Sequence, residues 1–355
     1  MTEATTSSAA AIFDRILDPA SRPHPYPLYA ELRETPVAPT GDGYYAVSSY
    51  AAIAALLQDP RMSKEQRKSD VAVTGARQIE PQPFLFLDPP EHDRLRRLVM
   101  EQFTPARVDA MERRVVAIVD ELLDARRDRS QIDVVDDLAY PLPVTIICEL
   151  LGVPREDEAR FHVWADTLAH SLDPDPGQKT SQAAMQAAQQ LFAYMQGLIA
   201  ERRAQPRDDL LSGLAVGDDP NGRMDDANLV TTMVLLLIAG HETTVNLIAN
   251  GTLTLLRYPD ELARLRERPE RAPFVVEETL RYEPPVQFAN RYALADIALA
   301  GETIPRGAGI RLMYAAGNRD PARFRDPDRF DPDRPDIEHF GFGGGIHYCV
   351  GAPLA

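Results

Sequence analysis

Near its C-terminal end the chain reads Phe342-Gly343-Gly344-Gly345-Ile346-His347-Tyr348-Cys349-Val350-Gly351. Glycine lets a backbone turn tightly and approach a flat ligand closely, and it frees N–H groups to point at the sulfur of Cys349. The residues from Val350 onward predict a helix start, whose dipole favours a negative charge at the preceding cysteine. The stretch therefore predicts a loop that presents Cys349 as a thiolate.

Two other interpretations of Cys349 have less support. One is a glycine-rich loop with an incidental cysteine. The other is a zinc site or a thiol enzyme, which would need further ligands or a base oriented by a third group. The chain has only two cysteines and seven scattered histidines, so zinc ligands are in short supply. The second cysteine, Cys148, falls on the apolar face of a predicted helix, and we expect it to be a small buried side chain.

The composition bounds the function. Of the 355 residues, 44% are hydrophobic and 26% are charged, so the chain can bury a large core. The formal net charge is −16, and such an acidic surface repels phosphates, which argues against nucleic-acid binding. Two cysteines offer no disulfide framework, which is typical of a reducing cytosol. We therefore expect a cytoplasmic protein.

Neither a signal peptide nor a membrane span is predicted. The first ten residues lack the basic and apolar regions of a secretory signal. The segments Val234–Ala239 and Val245–Ala249 are apolar, but His241 and Glu242 interrupt them well short of the ~20 residues that span a bilayer.

The hydrophobic pattern predicts a mainly α protein with a small β part. One very long helix is predicted at Asp225–Tyr258. Shorter helices are predicted at several places, among them His92–Phe103, Asp136–Leu151 and Ala272–Tyr282. Short strands are predicted at Tyr44–Val47, Tyr292–Leu299 and Ile310–Met313, and a long loop at Arg61–Pro90. No repeat and no clean linker is visible, so we expect a single domain over residues 1–355.

The cysteine stretch also carries a family resemblance. It matches the cytochrome P450 signature Phe-x-x-Gly-x-His/Arg-x-Cys-x-Gly at every fixed position, and the chain resembles a soluble bacterial cytochrome P450. The resemblance implies the cytochrome P450 fold, with the long central helix over a haem b (iron protoporphyrin IX) whose iron is held by Cys349. A thiolate ligand donates electron density to iron and favours O–O cleavage. Phe342 and Gly351, fixed positions of the signature, are expected to contact the haem.

The predicted long helix contains Ala239-Gly240-His241-Glu242-Thr243-Thr244. An acid and a hydroxyl within an apolar helix are costly unless they are solvated or used. The segment resembles the family's oxygen-activation motif, which implies that Thr243 handles dioxygen, that Glu242 helps to deliver protons through water and that Ala239 lies against the haem. A polar turn at the surface is the alternative, and His241 is expected to be only a tolerated neighbour.

The pair Glu278 and Arg281 is spaced i, i+3, which alone is common on ordinary helices. Placed before Cys349, with Pro327-Asp328-Arg329-Phe330 in between, it resembles the family's buried Glu–Arg–Arg network. The resemblance implies that Glu278, Arg281 and Arg329 fix the coil that presents the cysteine loop.

Four basic residues are candidates for binding the haem propionates. His92 and Arg96 are spaced i, i+4, so they lie on one helix face and suit a pair of carboxylates. By resemblance, Arg291 and His347 share this role. A solvated surface charge is the alternative for each. Arg94 and Arg97 point away from that face, and by analogy with the family they would help to dock an acidic ferredoxin.

A mostly apolar substrate pocket is outlined by six residues that are equally good core residues. They are Phe84, Leu85, Phe86, Leu235, Val286 and Phe288.

The resemblance implies a monooxygenase that inserts one oxygen atom from dioxygen into a small organic substrate. Electrons would come from a ferredoxin and its reductase, and the protein would be a monomer. A peroxide-using haem-thiolate enzyme and a non-catalytic haem-binding relative are the alternatives, and Glu242-Thr243 argues mildly against the former. The chain ends six residues after Cys349, at Ala355. Because the family continues with a helix and a β-hairpin, we expect a chain that is truncated there.

Overall fold

The structure is a computed structural model that describes residues 2–71, 80–170, 182–216 and 224–355. These residues fall into two compact units, each assembled from separate chain segments. The first unit comprises Met1–Val73 and Asn250–Cys349, and the second comprises Thr74–Ala249 and Val350–Ala355. The organisation as one domain stays a prediction.

The described residues form thirteen α-helices and seven strands, which are numbered here in chain order. The elements before residue 70 are α1 (Thr2–Leu17), α2 (Tyr26–Arg33), β1 (Val37–Pro39), β2 (Tyr44–Val47), α3 (Tyr50–Leu57) and β3 (Met62–Ser63). Those of the middle are α4 (Glu91–Met100), α5 (Pro105–Asp124), α6 (Pro141–Leu151), α7 (Glu158–His170), α8 (Gln182–Ala204), α9 (Leu210–Val216) and α10 (Asp226–Arg257). The last are α11 (Pro259–Glu267), α12 (Ala272–Tyr282), β4 (Ala289–Ala293), β5 (Ile297–Leu299), β6 (Glu302–Ile304), β7 (Gly309–Leu312) and α13 (Tyr314–Gly317).

All seven strands of the described residues belong to the first unit. Five of them form one sheet in the order β1-β2-β7-β4-β3, and β5 and β6 form a separate hairpin. Only the β2–β7 pair is parallel. Its residues Val47, Ile310 and Leu312 are fully buried, and they pack with α3 side chains such as Ile53. Burial on the sheet explains the apolar character of these strands.

The second unit is helical, and its core is one large apolar cluster. The helix α10 supplies Leu229, Met233 and Leu237, which recur at a spacing of four residues and are fully buried. This spacing places them along one helix face. The predicted long helix and the predicted mainly α fold with a small β part are both confirmed.

Three predicted elements are corrected. The helix predicted at Asp136–Leu151 is a π-helical turn at Val135–Ala139 followed by α6, because Pro141 has no N–H to continue the earlier turn. The strand predicted at Tyr292–Leu299 is the end of β4 and the separate strand β5. The predicted loop at 61–90 contains β3, and its residues 72–79 lie outside the described residues.

Among the described residues, one helix, α10, is long and apolar enough to cross a membrane by length and composition alone. Core helices of soluble proteins pass the same test.

Candidate functional site

In the first unit the cysteine loop is a tight, internally bonded turn. Gly343 and Gly345 have φ angles of 71° and 64°, in the left-handed region that favours glycine. A short 3₁₀ turn spans Gly345–His347, and the N–H of Cys349 donates to the carbonyl of Phe342 at 3.0 Å. The Cys349 residue is exposed and forms no disulfide, which suits a side chain that binds a ligand.

The glycines are also required by packing against the end of α3. A Cβ atom at Gly345 would lie 2.1 Å from the carbonyl oxygen of Leu57, and one at Gly344 would lie 2.9 Å from the Leu57 side chain. Any larger residue would push the loop off α3. Contacts within the protein therefore require the glycines of this loop, in addition to the predicted approach of a ligand.

The predicted Glu–Arg pair forms a fully buried ion pair. Arg281 donates from Nε and Nη2 to the two oxygens of Glu278, both at 2.7 Å, and neither side chain is exposed. Its remaining bonds reach the carbonyl oxygens of Asn318, Pro327 and Arg329 at 2.8–3.1 Å. Bidentate guanidinium–carboxylate geometry and neutral acceptors together satisfy the buried charges. The pair thus ties α12 to the coil that precedes the cysteine loop.

The second arginine of this network is Arg334, and the prediction of Arg329 is wrong. Arg334 donates from Nε to Glu278 Oε1 at 3.1 Å, and its side chain is only 7% exposed. Arg329 is exposed and contributes its carbonyl, which accepts from Arg281 and Arg334. The N–H of Asp331 also donates to Glu278 Oε1, at 2.7 Å. The chain therefore turns around Glu278 at Asp331, which brings the later arginine onto the carboxylate.

Arg291 lies on β4 and is buried, with 6% of its surface exposed. Its guanidinium donates to the carbonyl of Asn290 at 3.0 Å, and its charge acts on the hydroxyl of Tyr314. Burial raises the pKa of Tyr314, and the charge of Arg291 opposes the rise. Among the residues that the structure describes, no carboxylate forms an ion pair with Arg291. A buried guanidinium without a counter-charge is costly, so an anionic ligand such as a haem propionate fits this position.

The other predicted haem residues of the first unit lie in the loop itself. His347 is half-buried and ends the 3₁₀ turn. The ring of Phe342 packs edge-on against Tyr348, with centroids 6.1 Å apart. Burial raises the pKa of Tyr348, and the neighbouring Cys349 raises it further.

In the second unit, α4 carries His92 and Arg96 one turn apart. His92 is buried, with 1% of its surface exposed, and its Nδ1 lies 2.8 Å from Asp93 Oδ1. Arg96 is half-buried. Arg94 forms a bidentate ion pair with Glu91 at 2.5 and 2.9 Å, and Arg97 is exposed. The structure therefore separates the buried face of α4, which carries His92, from the face on which Arg94 meets Glu91.

The motif of α10 forms an accessible polar face on this helix. Thr243 Oγ1 donates to the carbonyl of Ala239 at 2.8 Å, and Asn246 Nδ2 donates to Glu242 Oε1 at 3.2 Å. Ala239 and Glu242 are exposed, whereas His241 is buried against the ring of Tyr140 at 4.7 Å. The same helix turn thus presents acid and hydroxyl on one side and packs on the other.

The remaining residue of the signature, Gly351, belongs to the second unit. Its carbonyl accepts from the N–H groups of Leu354 and Ala355 at 2.9 and 3.0 Å. The i, i+4 bond to Ala355 closes one turn, but the structure assigns no helix to residues 350–355, so the predicted helix start stays a prediction.

The six pocket candidates divide between core and half-buried positions. Phe84 is 3% exposed and belongs to the apolar core of the second unit, 6.4 Å from the ring of His92. Phe288 packs on Phe13, with ring centroids 5.9 Å apart. The other four are half-buried or exposed: Leu85, Phe86, Leu235 and Val286. Phe84 is therefore part of the apolar core. The substrate pocket stays a prediction.

Three residues of the site were not predicted from the sequence. They are Arg334 beside Glu278, Tyr314 beside Arg291, and Asn246 beside Glu242. Only Asn246 had a visible signal, since it lies four residues after Glu242 and therefore on the same helix face. The inertness predicted for Cys148 is supported, because this residue is fully buried and burial raises the pKa of its thiol to about 12.

Comparisons with known proteins agree with this arrangement. The sequence profile of the family described as Cytochrome P450 matches residues 38–272 and 271–355. Cytochrome P450 monooxygenase PikC of Streptomyces venezuelae is 43% identical over 340 residues, which are 93% of this chain and 80% of the relative. Vitamin D(3) 25-hydroxylase of Pseudonocardia autotrophica is 40% identical over 346 residues, 94% of this chain and 83% of the relative. The crystal structure of ligand-free CYP164A2 from Mycobacterium smegmatis superimposes with a TM-score of 0.90 at 44% identity, covering 97% of this chain and 89% of the other.

Proposed function

The chain belongs to the cytochrome P450 family and is a haem-thiolate monooxygenase, and from that premise we propose that it oxidises a small, mostly apolar organic substrate with electrons from a ferredoxin and its reductase. The proposal is supported mainly by the exposed Cys349, which lies in a loop whose backbone is held by its own hydrogen bonds. Haem b, when bound, supplies dioxygen activation at its iron.

The residues of the first unit would hold that cofactor. Cys349 would ligate the iron as a thiolate, and the buried Arg291 would bind a propionate with His347 as a second donor. Phe342 would pack against the haem near the sulfur.

The residues of the second unit would contact the haem and supply protons. His92 and Arg96, on one face of α4, would bind propionate oxygens, and Ala239 would contact the haem. Because Thr243 donates its only hydroxyl proton to Ala239, its oxygen is left to accept a hydrogen bond from water. Asn246 holds the carboxylate of Glu242 near that hydroxyl face, where it can pass protons to such a water.

The substrate proposal rests on apolar side chains and on relatives. Leu85, Phe86, Leu235 and Val286 offer half-buried or exposed apolar surface, which suits a substrate with few polar groups. One relative hydroxylates vitamin D(3), a largely apolar molecule, as its name states. We infer a substrate of that kind, bound mainly by the hydrophobic effect.

We further propose a cytoplasmic monomer that binds no membrane and receives electrons from an acidic ferredoxin. The guanidinium of Arg97 is exposed on α4 and is available to an acidic partner, whereas Arg94 is already paired with Glu91. Attraction between opposite charges speeds such encounters and weakens with salt. A peroxide-using enzyme would turn over without the ferredoxin.

The replacement Cys349→Ser tests the proposed function. An alcohol is too weak an acid to bind iron as an anion at neutral pH, so the variant should lose the strongly red-shifted Soret band of the ferrous–CO complex. Cys148→Ser is the matched control and should keep the band. Product formation with NADPH, ferredoxin and reductase is measured in parallel. Retention of the band in Cys349→Ser would show that Cys349 is not the ligand.

A further inference from the structure

His339 lies three residues before Phe342, and its imidazole uses both nitrogens. The side chain is 5% exposed, and its Nε2 lies 3.0 Å from Glu277 Oε2 on α12. The N–H of Gly341 donates to its Nδ1 at 3.0 Å. Because Nδ1 accepts, the neutral ring carries its proton on Nε2 and donates it to Glu277. The ring therefore bridges α12 and the backbone of the loop.

The backbone after His339 leads directly to the cysteine. The N–H of Phe340 donates to Asn318 Oδ1 at 2.8 Å, and the N–H of Gly343 donates to the carbonyl of Phe340 at 2.9 Å. The carbonyl of Phe342 accepts from the N–H of Cys349 at 3.0 Å. A displacement at Gly341 would therefore move Phe342 and, through its carbonyl, Cys349.

Gly341 itself has little freedom to compensate. A Cβ atom there would lie 3.0 Å from the carbonyl oxygen of Leu280 and 3.0 Å from His339 Nδ1. The loop thus rests directly on α12, and the imidazole of His339 fixes its position along that helix.

Glu277 also brings a negative charge to this region. It is half-exposed, next to the fully buried Glu278. Its charge reaches Tyr348, the residue before the cysteine, whose pKa is raised by burial, by Cys349 and by Glu277. A negative charge on this side of the loop would disfavour the addition of an electron to an iron held by Cys349, by an amount that solvent screening at the half-exposed Glu277 reduces.

We propose that Glu277 and His339 form a positioning clamp, which holds the backbone that presents Cys349 and sets the charge beside it. The clamp rests on the proposed role of Cys349 as the haem ligand. Neither residue touches substrate or cofactor in this proposal. Both act through Gly341, Phe342 and Tyr348.

The clamp makes the loop sensitive to acid. Protonation of His339 places a proton on Nδ1, which then cannot accept from Gly341. Burial and the charge of Arg281 lower the pKa of His339, and the opposing charge of Glu277 does not cancel this shift. As the pH falls, the bond to Gly341 is lost and the cysteine loop loosens.

Three replacements of His339 separate its two bonds. In His339→Asn the amide oxygen can still accept from Gly341, but Glu277 loses its donor. In His339→Gln the amide nitrogen can still reach Glu277, but Gly341 loses its acceptor. His339→Leu removes both bonds, and Glu277→Gln keeps an acceptor for His339 while removing the charge. The exposed His24 and Glu302 provide the matched controls His24→Asn and Glu302→Gln.

Each purified haem protein is titrated with acid while the ferrous–CO spectrum is recorded, and its reduction potential and unfolding midpoint are measured. We expect the ratio of red-shifted to blue-shifted Soret forms to fall about fivefold in His339→Gln and His339→Leu, because a buried acceptor for Gly341 is lost. His339→Asn should keep the parent ratio at neutral pH and hold it to lower pH, since its amide does not titrate. Glu277→Gln should keep the ratio but shift the reduction potential to a more positive value. The controls should match the parent.

The clamp would be overturned if the ratio of the two Soret forms, and the dependence of this ratio on pH, were the same in the parent, in His339→Gln and in His339→Asn. If His339→Leu fails to fold, the comparison of the Asn and Gln variants still decides. A parent protein without the red-shifted band would overturn the proposed function, and the clamp with it. A parent with the band but with variants that match it would overturn the clamp alone.

Discussion

Thr243 and Thr244 are adjacent, and each donates its hydroxyl to the carbonyl four residues earlier, at 2.8 and 3.1 Å. Only Thr243 shares the accessible face of Ala239 and Glu242. Thr243→Ala should therefore leave substrate binding nearly intact but divert reducing equivalents to peroxide. Thr244→Ala loses the same kind of bond and should stay coupled. The ratio of product to NADPH consumed is the measurement, and an equal ratio in the two variants would contradict the role of Thr243.

Arg94 and Arg96 provide a second comparison between neighbouring residues. Arg94 is already neutralised by Glu91, whereas Arg96 lies one turn after the buried His92. Arg96→Ala should release haem faster than Arg94→Ala. Lost charge-assisted bonds are worth roughly 1.5–3 kcal/mol, or about 10- to 100-fold in rate. Haem transfer to an acceptor protein measures the difference, and equal rates would mean that this face of α4 does not bind the propionates.

Between elements, the buried carboxylate of Glu278 connects α12 to the coil after α13. Arg334→Leu removes one of its two guanidinium partners, so we expect a loss of about 3 kcal/mol in the free energy of unfolding. Arg329→Leu is the matched control, because its side chain is exposed and its carbonyl remains. It should change the stability by less than about 0.5 kcal/mol. Denaturant unfolding measures the free energy of unfolding of both variants. A larger loss in Arg329→Leu than in Arg334→Leu would contradict this network.

For the whole molecule we expect stability to fall in two steps on the acid side. Burial lowers the pKa of His339, so the unfolded chain binds a proton first, and stability is lost as the pH falls below about 6.5. Arg271 and Arg264 lower the pKa of Asp333 to about 2, so its contribution is present above about pH 4 and is lost as the pH falls to about 2. The second step should be small, because Asp333 is half-exposed and solvent screens its ion pairs.

Thermal unfolding midpoints between pH 7 and pH 2 measure both steps. His339→Asn should flatten the upper step, and Asp333→Asn should flatten the lower one. An upper step that is unchanged in His339→Asn would assign that loss to another group.

At every scale, the sequence determined what depends on short stretches of chain. The signature around Cys349, the Glu278–Arg281 spacing, the motif of α10 and the length of that helix are all local patterns, and the family and the mainly α fold with its small β part follow from them. Local patterns are reliable because hydrogen bonding within a helix and side-chain spacing along it involve residues only three or four apart.

The tertiary structure decided which distant residues meet. Pro-Asp-Arg occurs twice, ending at Arg329 and at Arg334, and nothing in either tripeptide shows which arginine reaches Glu278, about fifty residues earlier. The turn at Asp331 makes that choice. The approach of Leu57 to Gly345 and the bridge from Glu277 to His339 are likewise contacts between separate elements. Such contacts depend on how the helices and strands pack, and each partner taken alone is an ordinary residue of its own segment.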